Sequence, residues 1–127
     1  MTTHRMIISL GTNYEADTNM KLARELLCSF FHDITFTESI WTLSVDTEKI
    51  DPRTKYLNCL AKINTLYELG QIEPVLKQIE GRLGRSTAEK SLGIIRIDID
   101  ILKFDDEKHH LNDWNRPYVH HLLKNIK

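Results

Sequence analysis

Apolar and polar residues alternate in four segments of the chain and predict four β-strands, because the side chains of a strand point to opposite faces in turn. The clearest segment is 94–102, in which Asp98 and Asp100 stand between isoleucines. One face of this strand is expected to be buried, and the other to carry the two carboxylates. The other predicted strands are 6–10, 34–42 and 56–64.

Apolar residues at spacings of three and four predict two amphipathic helices. The first is expected over about 15–31. The second should follow a break at Gly70, hold Pro74 near its start and end at Gly84. The residues expected to form its buried face are Ile72, Val75, Leu76, Ile79 and Leu83.

The order of these elements predicts the fold. A β-α-β-β-α-β order is typical of a ferredoxin-like α+β sandwich, with a four-stranded antiparallel sheet and two helices on one face. Apolar residues behind Pro117 predict a short C-terminal helix. At 127 residues the chain is expected to form one domain, residues 1–127. The segments 43–55, 85–93 and 105–115 are polar and lack a period, which predicts loops.

The charge of the chain is nearly balanced, with 17 basic and 18 acidic residues. No overall positive field attracts nucleic acid or an anionic membrane, so neither is expected as a partner. Cys28 and Cys59 lie in apolar contexts without a Cys-x-x-Cys partner, which predicts reduced thiols in the core. The apolar runs are too short to span a bilayer and no signal peptide is evident, so the expected location is the cytoplasm. The sequence leaves the oligomeric state open.

Asp98 and Asp100 are the main candidates for chemistry. Their Cα atoms should lie about 6.6 to 7 Å apart on one strand face. Two carboxylates there repel each other unless a cation lies between them, and a hard divalent cation suits carboxylate oxygens. The alternative is a pair of solvated acids on an open strand face, and the spacing alone leaves both interpretations standing.

The sheet face opposite the predicted core should carry several polar groups together. If both helices cover one face, the other carries Tyr56, Asn58, Arg96 and the two aspartates. Such a mixture is typical of ligand sites, although a solvated antiparallel face also carries polar residues. Asn58 favours a ligand, because asparagine is a poor strand former and its amide can hydrogen-bond a planar heterocycle.

A cationic stretch near the end of the second predicted helix offers a place for a phosphate chain. The alternative is that these side chains are simply solvated. No Walker A motif is present, so a nucleotide would be held by side chains and metal. The pairs His109-His110 and His120-His121 lack the i,i+4 spacing of helical metal ligands and are expected to be structural or solvated. The cationic residues are Arg82, Arg85, Lys90 and Arg96.

Four short motifs occur in order along residues 6–104. They are Leu10-Gly11-Thr12-Asn13-Tyr14, Tyr56-Leu57-Asn58, Ile79-Glu80 before Gly84-Arg85, and Arg96-Ile97-Asp98-Ile99-Asp100-Ile101. Together they resemble the signatures of the 6-hydroxymethyl-7,8-dihydropterin pyrophosphokinase family. The resemblance implies a ferredoxin-like fold and an enzyme of folate biosynthesis, which transfers the pyrophosphoryl group of ATP to the pterin hydroxymethyl group and releases AMP.

The resemblance also implies roles for individual residues. Asp98 and Asp100 would hold two Mg²⁺ ions that bridge the ATP phosphates. Asn58 would hydrogen-bond the pterin ring, and Tyr56 would stack on it. The other implied pterin contacts are Thr42, Val45 and Tyr118, and the implied nucleotide-binding or site-ordering residues are Glu80, Arg85, His110 and Arg116.

The chain departs from the family in the loop before the aspartates, where Thr87, Ser91 and Ile95 stand at usually cationic positions. The positive charge for catalysis is then expected from Arg85, Lys90 and Arg96. The leading hypothesis is a short, divergent pyrophosphokinase whose activity the missing arginines put in question. The alternatives are a noncatalytic module that binds pterin or nucleotide, and a structural domain that dimerises through its sheet face.

Overall fold

A computed structural model of the protein describes residues 2–43 and 55–126. The predicted loop 43–55 therefore lies almost wholly outside the described residues, and Val45 lies outside them too. The helices and strands are β1 His4–Thr12, α1 Ala16–Phe30, β2 Asp33–Phe36, β3 Ile40–Leu43, β4 Lys55–Thr65, α2 Leu69–Arg82, α3 Thr87–Ser91, β5 Asp98–Phe104, β6 Glu107–Lys108 and α4 Pro117–Leu123, with a 3-10 turn at Asp113–Asn115 before α4.

The predicted α+β fold with an antiparallel sheet is confirmed, but the described sheet has six strands rather than four. Its order is β2-β4-β1-β5-β6, and β3 also pairs with β4. Thr37 divides the predicted strand 34–42 into β2 and β3. The Leu60 amide donates to the Thr37 side-chain hydroxyl at 2.9 Å, so a hydroxyl replaces a backbone carbonyl in the ladder. The short β6 adds the sixth strand by pairing with the end of β5.

The main core lies between one sheet face and the helices α1 and α2. The alternating residues predicted to face it are buried there, with the exception of Ile95, which lies before β5 and lines a cleft. Removing this apolar surface from water is the main favourable contribution to folding, about 25 cal/mol per Å². The confirmed inward-facing strand residues are Leu57, Cys59, Ala61, Ile63, Ile97, Ile99 and Ile101.

The opposite sheet face is partly covered by α4. Leu60 and Leu102 of the sheet pack against Val119 and Leu122 of the helix, and all four are fully buried. Pro117 is the first residue of this helix, as predicted, because its fixed φ suits a helix start and its missing N–H costs nothing there. The face expected to be open is thus covered in part by α4.

The ends of the other helices differ in part from the prediction. Helix α2 begins at Leu69, so Gly70 lies within it, because Glu68 and Gln71 form a capping box that starts the helix earlier. Gly84 follows the helix with φ +96°, a conformation that favours glycine, so the predicted end is correct. The predicted loop 85–93 contains the short helix α3, in which Ser86 accepts a hydrogen bond from the Glu89 amide.

The two cysteines differ in their surroundings. Cys59 is buried as predicted, and burial raises the pKa of its thiol. Cys28 is exposed, because the helix period turns it away from the core that its neighbour Leu27 enters. Within the described residues, none of the helices has the length and apolar character needed to cross a membrane.

His4 ties the start of β1 to two carboxylates. Its Nδ1 lies 2.7 Å from Asp105 Oδ2 and its Nε2 lies 3.1 Å from Glu68 Oε1. Both hydrogen bonds raise the pKa of His4 above its usual value, and the bond to Asp105 makes the larger contribution. The stabilisation is therefore fully present below the unfolded pKa of about 6.5 and is lost as the pH rises through the folded pKa.

We expect His4→Gln to lower the melting temperature most at about pH 6, and the difference from the parent protein to shrink towards about pH 9. Thermal unfolding followed by circular dichroism across this range measures the difference. His32→Gln is the matched control, since His32 is exposed. A difference that stays constant with pH would show that protonated His4 contributes no stability.

Candidate active site

A cleft of about 520 Å³ opens on the sheet face opposite α1 and α2. It lies between the sheet, the segment around α3 and the start of α4. Among the described residues, Glu80 lies beneath the cleft, His110 lies at its edge near Asp100, and Arg96 lies apart from it. The nine other described residues that the sequence proposed for the site all line the cleft: Thr42, Tyr56, Asn58, Arg85, Lys90, Asp98, Asp100, Arg116 and Tyr118.

The register of the sheet brings the amide and the carboxylates together. Gly11 on β1 is paired with Asn58 on one side and with Asp98 on the other. Two positions earlier on β1, Ser9 is paired with Asp100. A Cβ atom at Gly11 would lie 3.0 Å from Asn58 Oδ1, a very close contact. The absence of a side chain at Gly11 therefore keeps the cleft floor open between the amide and the aspartate.

Asn58 is held in a fixed orientation on β4. Its side-chain Nδ2 donates to Thr42 Oγ1 at 2.7 Å and to the Tyr56 carbonyl at 3.3 Å. The residue is 6% exposed, so these hydrogen bonds compensate for the burial of its amide. Thr42 and Tyr56 are themselves directly paired across β3 and β4. The three residues form one polar corner of the cleft.

Arg85 joins two carboxylates, Asp98, which lines the cleft, and Glu80, which lies beneath it. Its Nη1 lies 2.8 Å from Glu80 Oε2 and 2.7 Å from Asp98 Oδ1. Glu80 also accepts a hydrogen bond from the Ile99 amide at 2.8 Å, and burial raises the pKa of its carboxyl. Because α2 supplies Glu80 and β5 supplies Asp98, the guanidinium fixes the helix end against the strand and holds one oxygen of Asp98 in place.

Asp100 lies in a more acidic environment than Asp98. Burial and the neighbouring Asp98 raise the pKa of Asp100 to about 6. His110 Nε2 lies 3.7 Å from Asp100 Oδ1, and the segment before α4 brings Asp113 to the same place. Asp113 is bound in turn by Arg116, whose Nη2 lies 3.0 Å from Asp113 Oδ1. Two carboxylates and an imidazole therefore converge at this end of the cleft.

Arg96 does not face the aspartates. It precedes β5 and forms two hydrogen bonds with the Glu89 carboxylate, at 2.7 and 2.9 Å. Its guanidinium also lies 4.6 Å from the centre of the Tyr14 ring. The predicted position of Arg96 on the strand face of the two aspartates is wrong, because the regular strand begins only at Asp98. Lys90, by contrast, lines the cleft.

One comparison with known proteins agrees with this arrangement. Residues 7–127 match the family of 7,8-dihydro-6-hydroxymethylpterin-pyrophosphokinase. The chain belongs to this family. The resemblance stated from the sequence motifs is confirmed. A search of curated proteins found no match. Membership assigns the chain to the pterin pyrophosphokinases, which are transferases of folate biosynthesis.

Two polar side chains that line the cleft of this pyrophosphokinase, Ser9 and Asp113, were not among the candidates that the sequence offered. Ser9 could have been found, because it stands between the core residues Ile8 and Leu10 and must face the other way. Asp113 carries no such signal. It lies in a polar segment without a period, and only the return of the chain to the sheet brings it near Asp100.

Proposed function

We propose that this pyrophosphokinase transfers the pyrophosphoryl group of ATP to 6-hydroxymethyl-7,8-dihydropterin in a Mg²⁺-dependent reaction and releases AMP. The observation that carries the proposal is the row formed by Asn58, Gly11 and Asp98 across three adjacent strands. Strand neighbours lie about 4.8 Å apart, so the amide and the carboxylate are separated by roughly 10 Å. That spacing suits a pterin at one end of the cleft and the phosphates at the other.

The donor set at Asp98 and Asp100 fits a hard divalent cation. Both side chains offer carboxylate oxygens to the same cleft, and their mutual repulsion favours a cation between them. We assign these two aspartates to Mg²⁺. When bound there, the metal would neutralise charge on the ATP phosphates and orient them.

The other residues act by binding and positioning. Asn58 and Thr42 form a fixed polar corner in which the pterin edge can be hydrogen-bonded, and Tyr56 stands beside them for stacking. Tyr118 offers a second aromatic ring from α4. We infer that the pterin lies between β4 and α4, with its hydroxymethyl group directed towards the aspartates. Holding both substrates in this way accounts for much of the rate of such a reaction.

The cations of the cleft are assigned to the nucleotide. Lys90 and Arg116 line it and can approach phosphate oxygens. Arg85 is already engaged by Glu80 and Asp98, so we assign it to positioning Asp98, with Glu80 as its buried anchor. His110 is assigned to the nucleotide side of the cleft. Arg96 could contact phosphate only after leaving Glu89.

The lack of cations before the aspartates favours a second candidate, a module that binds both substrates without efficient turnover. Ile95 lines the cleft at a position where the family resemblance implies a cation, and it is 8% exposed. Loss of one group that stabilises transition-state charge costs about 10²- to 10³-fold in rate. A dimerisation domain is less favoured, because α4 already covers part of the sheet face that it would use.

Incubation of the purified chain with Mg²⁺, ATP and the reduced pterin, followed by chromatography of the products, tests the proposal. The expected result is equal formation of AMP and pterin pyrophosphate, lost when the metal is chelated. Binding of pterin and ATP by calorimetry without AMP formation would instead support the binding module. Absence of both binding and turnover would contradict both candidates.

Asn58→Ala should weaken pterin binding by at least about tenfold, because the variant leaves a polar corner without its central amide. Calorimetric titration of the pterin into protein that holds a non-hydrolysable ATP analogue measures the loss. Asn64→Ala is the matched control, since Asn64 lies on the same strand and hydrogen-bonds the exposed Asp33. Equal pterin affinities in the parent and Asn58→Ala would remove Asn58 from the site.

A further inference from the structure

The acidic end of the cleft contains a group of side chains that the reaction as proposed does not use together. Asp100, His110 and Asp113 each offer one ligand atom, and these atoms lie within 4.8 Å of one another. His110 Nε2 and Asp100 Oδ1 are already 3.7 Å apart. Adjacent ligands of an octahedral ion with bonds of about 2.1 Å are separated by about 3 Å, so a small inward movement of these side chains would bring them to bonding distance.

We propose that Asp100, His110 and Asp113 form a binding site for a transition-metal dication such as Mn²⁺, which shares Asp100 with the proposed Mg²⁺ site and takes its other two ligands from His110 and Asp113. An imidazole nitrogen is a good ligand for Mn²⁺, Co²⁺ and Zn²⁺, whereas Mg²⁺ prefers oxygen and water. Two carboxylates and one imidazole provide three ligands and leave the remaining positions for water or phosphate oxygens. The site needs no nucleotide, so it does not depend on the proposed reaction.

The charges around Asp100 favour a cation at this place. His110 Nε2 lies 3.7 Å from Asp100 Oδ1, whereas Asp98 already has the Arg85 guanidinium at 2.7 Å. The side chain of Asp100 is 28% exposed and that of Asp113 is 18% exposed, so water screens their repulsion only in part. A dication bound between these two carboxylates would remove the repulsion.

Arg116 provides outer support for the site. Its Nη2 lies 3.0 Å from Asp113 Oδ1 and orients that carboxylate. Hydrogen bonds to the ligands of a metal are a regular feature of metal sites, since they fix the direction of the donor atoms. His110 is half exposed, so its ring can turn towards the ion without opening the core.

Titration of the full chain with Mn²⁺ alone, with the free ion quantified by electron paramagnetic resonance, tests the site. We expect one Mn²⁺ ion bound per chain. Its affinity for the site should be at least about tenfold higher than the affinity of Mg²⁺ for the same site. His110→Gln and Asp113→Asn should each weaken Mn²⁺ binding by at least about tenfold. His120→Gln and Asp106→Asn are the matched controls, because both residues are exposed and lie outside the cleft.

Electron spin echo modulation of the bound Mn²⁺ provides a readout that requires no variant. A nitrogen coupling from a directly bound imidazole is expected in the parent protein, and it should vanish in His110→Gln. Absence of the nitrogen coupling in the parent would overturn the inference. So would Mn²⁺ binding that is lost in Asp98→Asn but unchanged in His110→Gln, because the ion would then lie at the aspartate pair. Failure of AMP release would leave these binding results unaffected, so the two proposals fail separately.

Discussion

The double substitution Asp98→Asn and Asp100→Asn should lower the rate of AMP formation by at least about 10³-fold, because transfer of a phosphoryl-type group depends on cations held where negative charge accumulates. Both carboxylates line the cleft, and asparagine keeps their size while removing their charge. Single-turnover measurement of AMP with excess protein separates loss of chemistry from weak ATP binding.

The matched control for this pair is Asp17→Asn with Asp106→Asn. It removes the same two charges from exposed positions outside the cleft, and its rate should stay within about twofold of the parent. The circular dichroism spectrum of each double variant should match that of the parent. Retention of more than a tenth of the parent rate in Asp98→Asn with Asp100→Asn would contradict the assignment of the metal to these residues.

The fold was predictable where side-chain periodicity reports burial directly. In β5 the alternation of isoleucines and aspartates gives both the strand and its two faces, and the structure has Ile97, Ile99 and Ile101 in the core. The same argument correctly buries one face of β4. Periodicity does not indicate, however, where a strand is interrupted. Thr37 ends β2 because its hydroxyl takes a ladder hydrogen bond from Leu60, a contact between residues that are far apart in sequence.

The site was predictable in the sheet and less so in the connections. Register places Asn58 and Asp98 on either side of Gly11, and alternation alone suffices to put them on one face. Arg96 shows the limit of that reasoning. Alternation continued backwards from Asp98 places Arg96 on the face of the aspartates, but the regular strand begins only at Asp98 and the Arg96 guanidinium binds Glu89 of α3. The position of Asp113 near Asp100 depends wholly on the path by which the chain returns across the sheet.

Gly11 on β1 takes part in the pairing of the sheet and also shapes the floor of the cleft. Gly11 lies in the ladder with two neighbours, yet it contributes no side chain to the floor between them. Glycine weakens a strand, so its presence at a central position is typical of a place where a ligand or another group approaches closely. Here Asn58 Oδ1 lies where a side chain at position 11 would begin. The glycine therefore weakens the strand locally and at the same time leaves the cleft open.

Arg85→Met should reduce both the stability and the activity of the protein, for separable reasons. The Glu80 side chain is 4% exposed, and removal of its guanidinium partner leaves a buried charge whose partners are the Ile99 amide and the exposed Lys77 ammonium at 3.6 Å. Removing one partner of a buried ion pair costs about 3 to 5 kcal/mol in free energy of unfolding. Asp98 also loses the group that orients it, so AMP formation should fall by about 10²-fold or more.

The pH dependence of Arg85→Met distinguishes a buried charge from a simple loss of packing. Burial raises the pKa of Glu80, so the folded state binds its proton more readily than the unfolded state does. Without Arg85 that rise should be larger, and the variant should lose stability as the pH increases from about 5 to about 8. Urea unfolding at both pH values measures the difference. Arg82→Met is the matched control, since Arg82 is the exposed arginine of the same helix end.

Adding Glu80→Gln to Arg85→Met should restore most of the lost stability without restoring activity. Glutamine keeps an oxygen to accept the Ile99 amide hydrogen bond and leaves no buried charge to compensate. Asp98 would still lack its guanidinium, so AMP formation should remain as low as in Arg85→Met. If the double variant recovered activity together with stability, Arg85 would act only by holding the fold. If it recovered neither, the penalty would not come from the unpaired charge of Glu80.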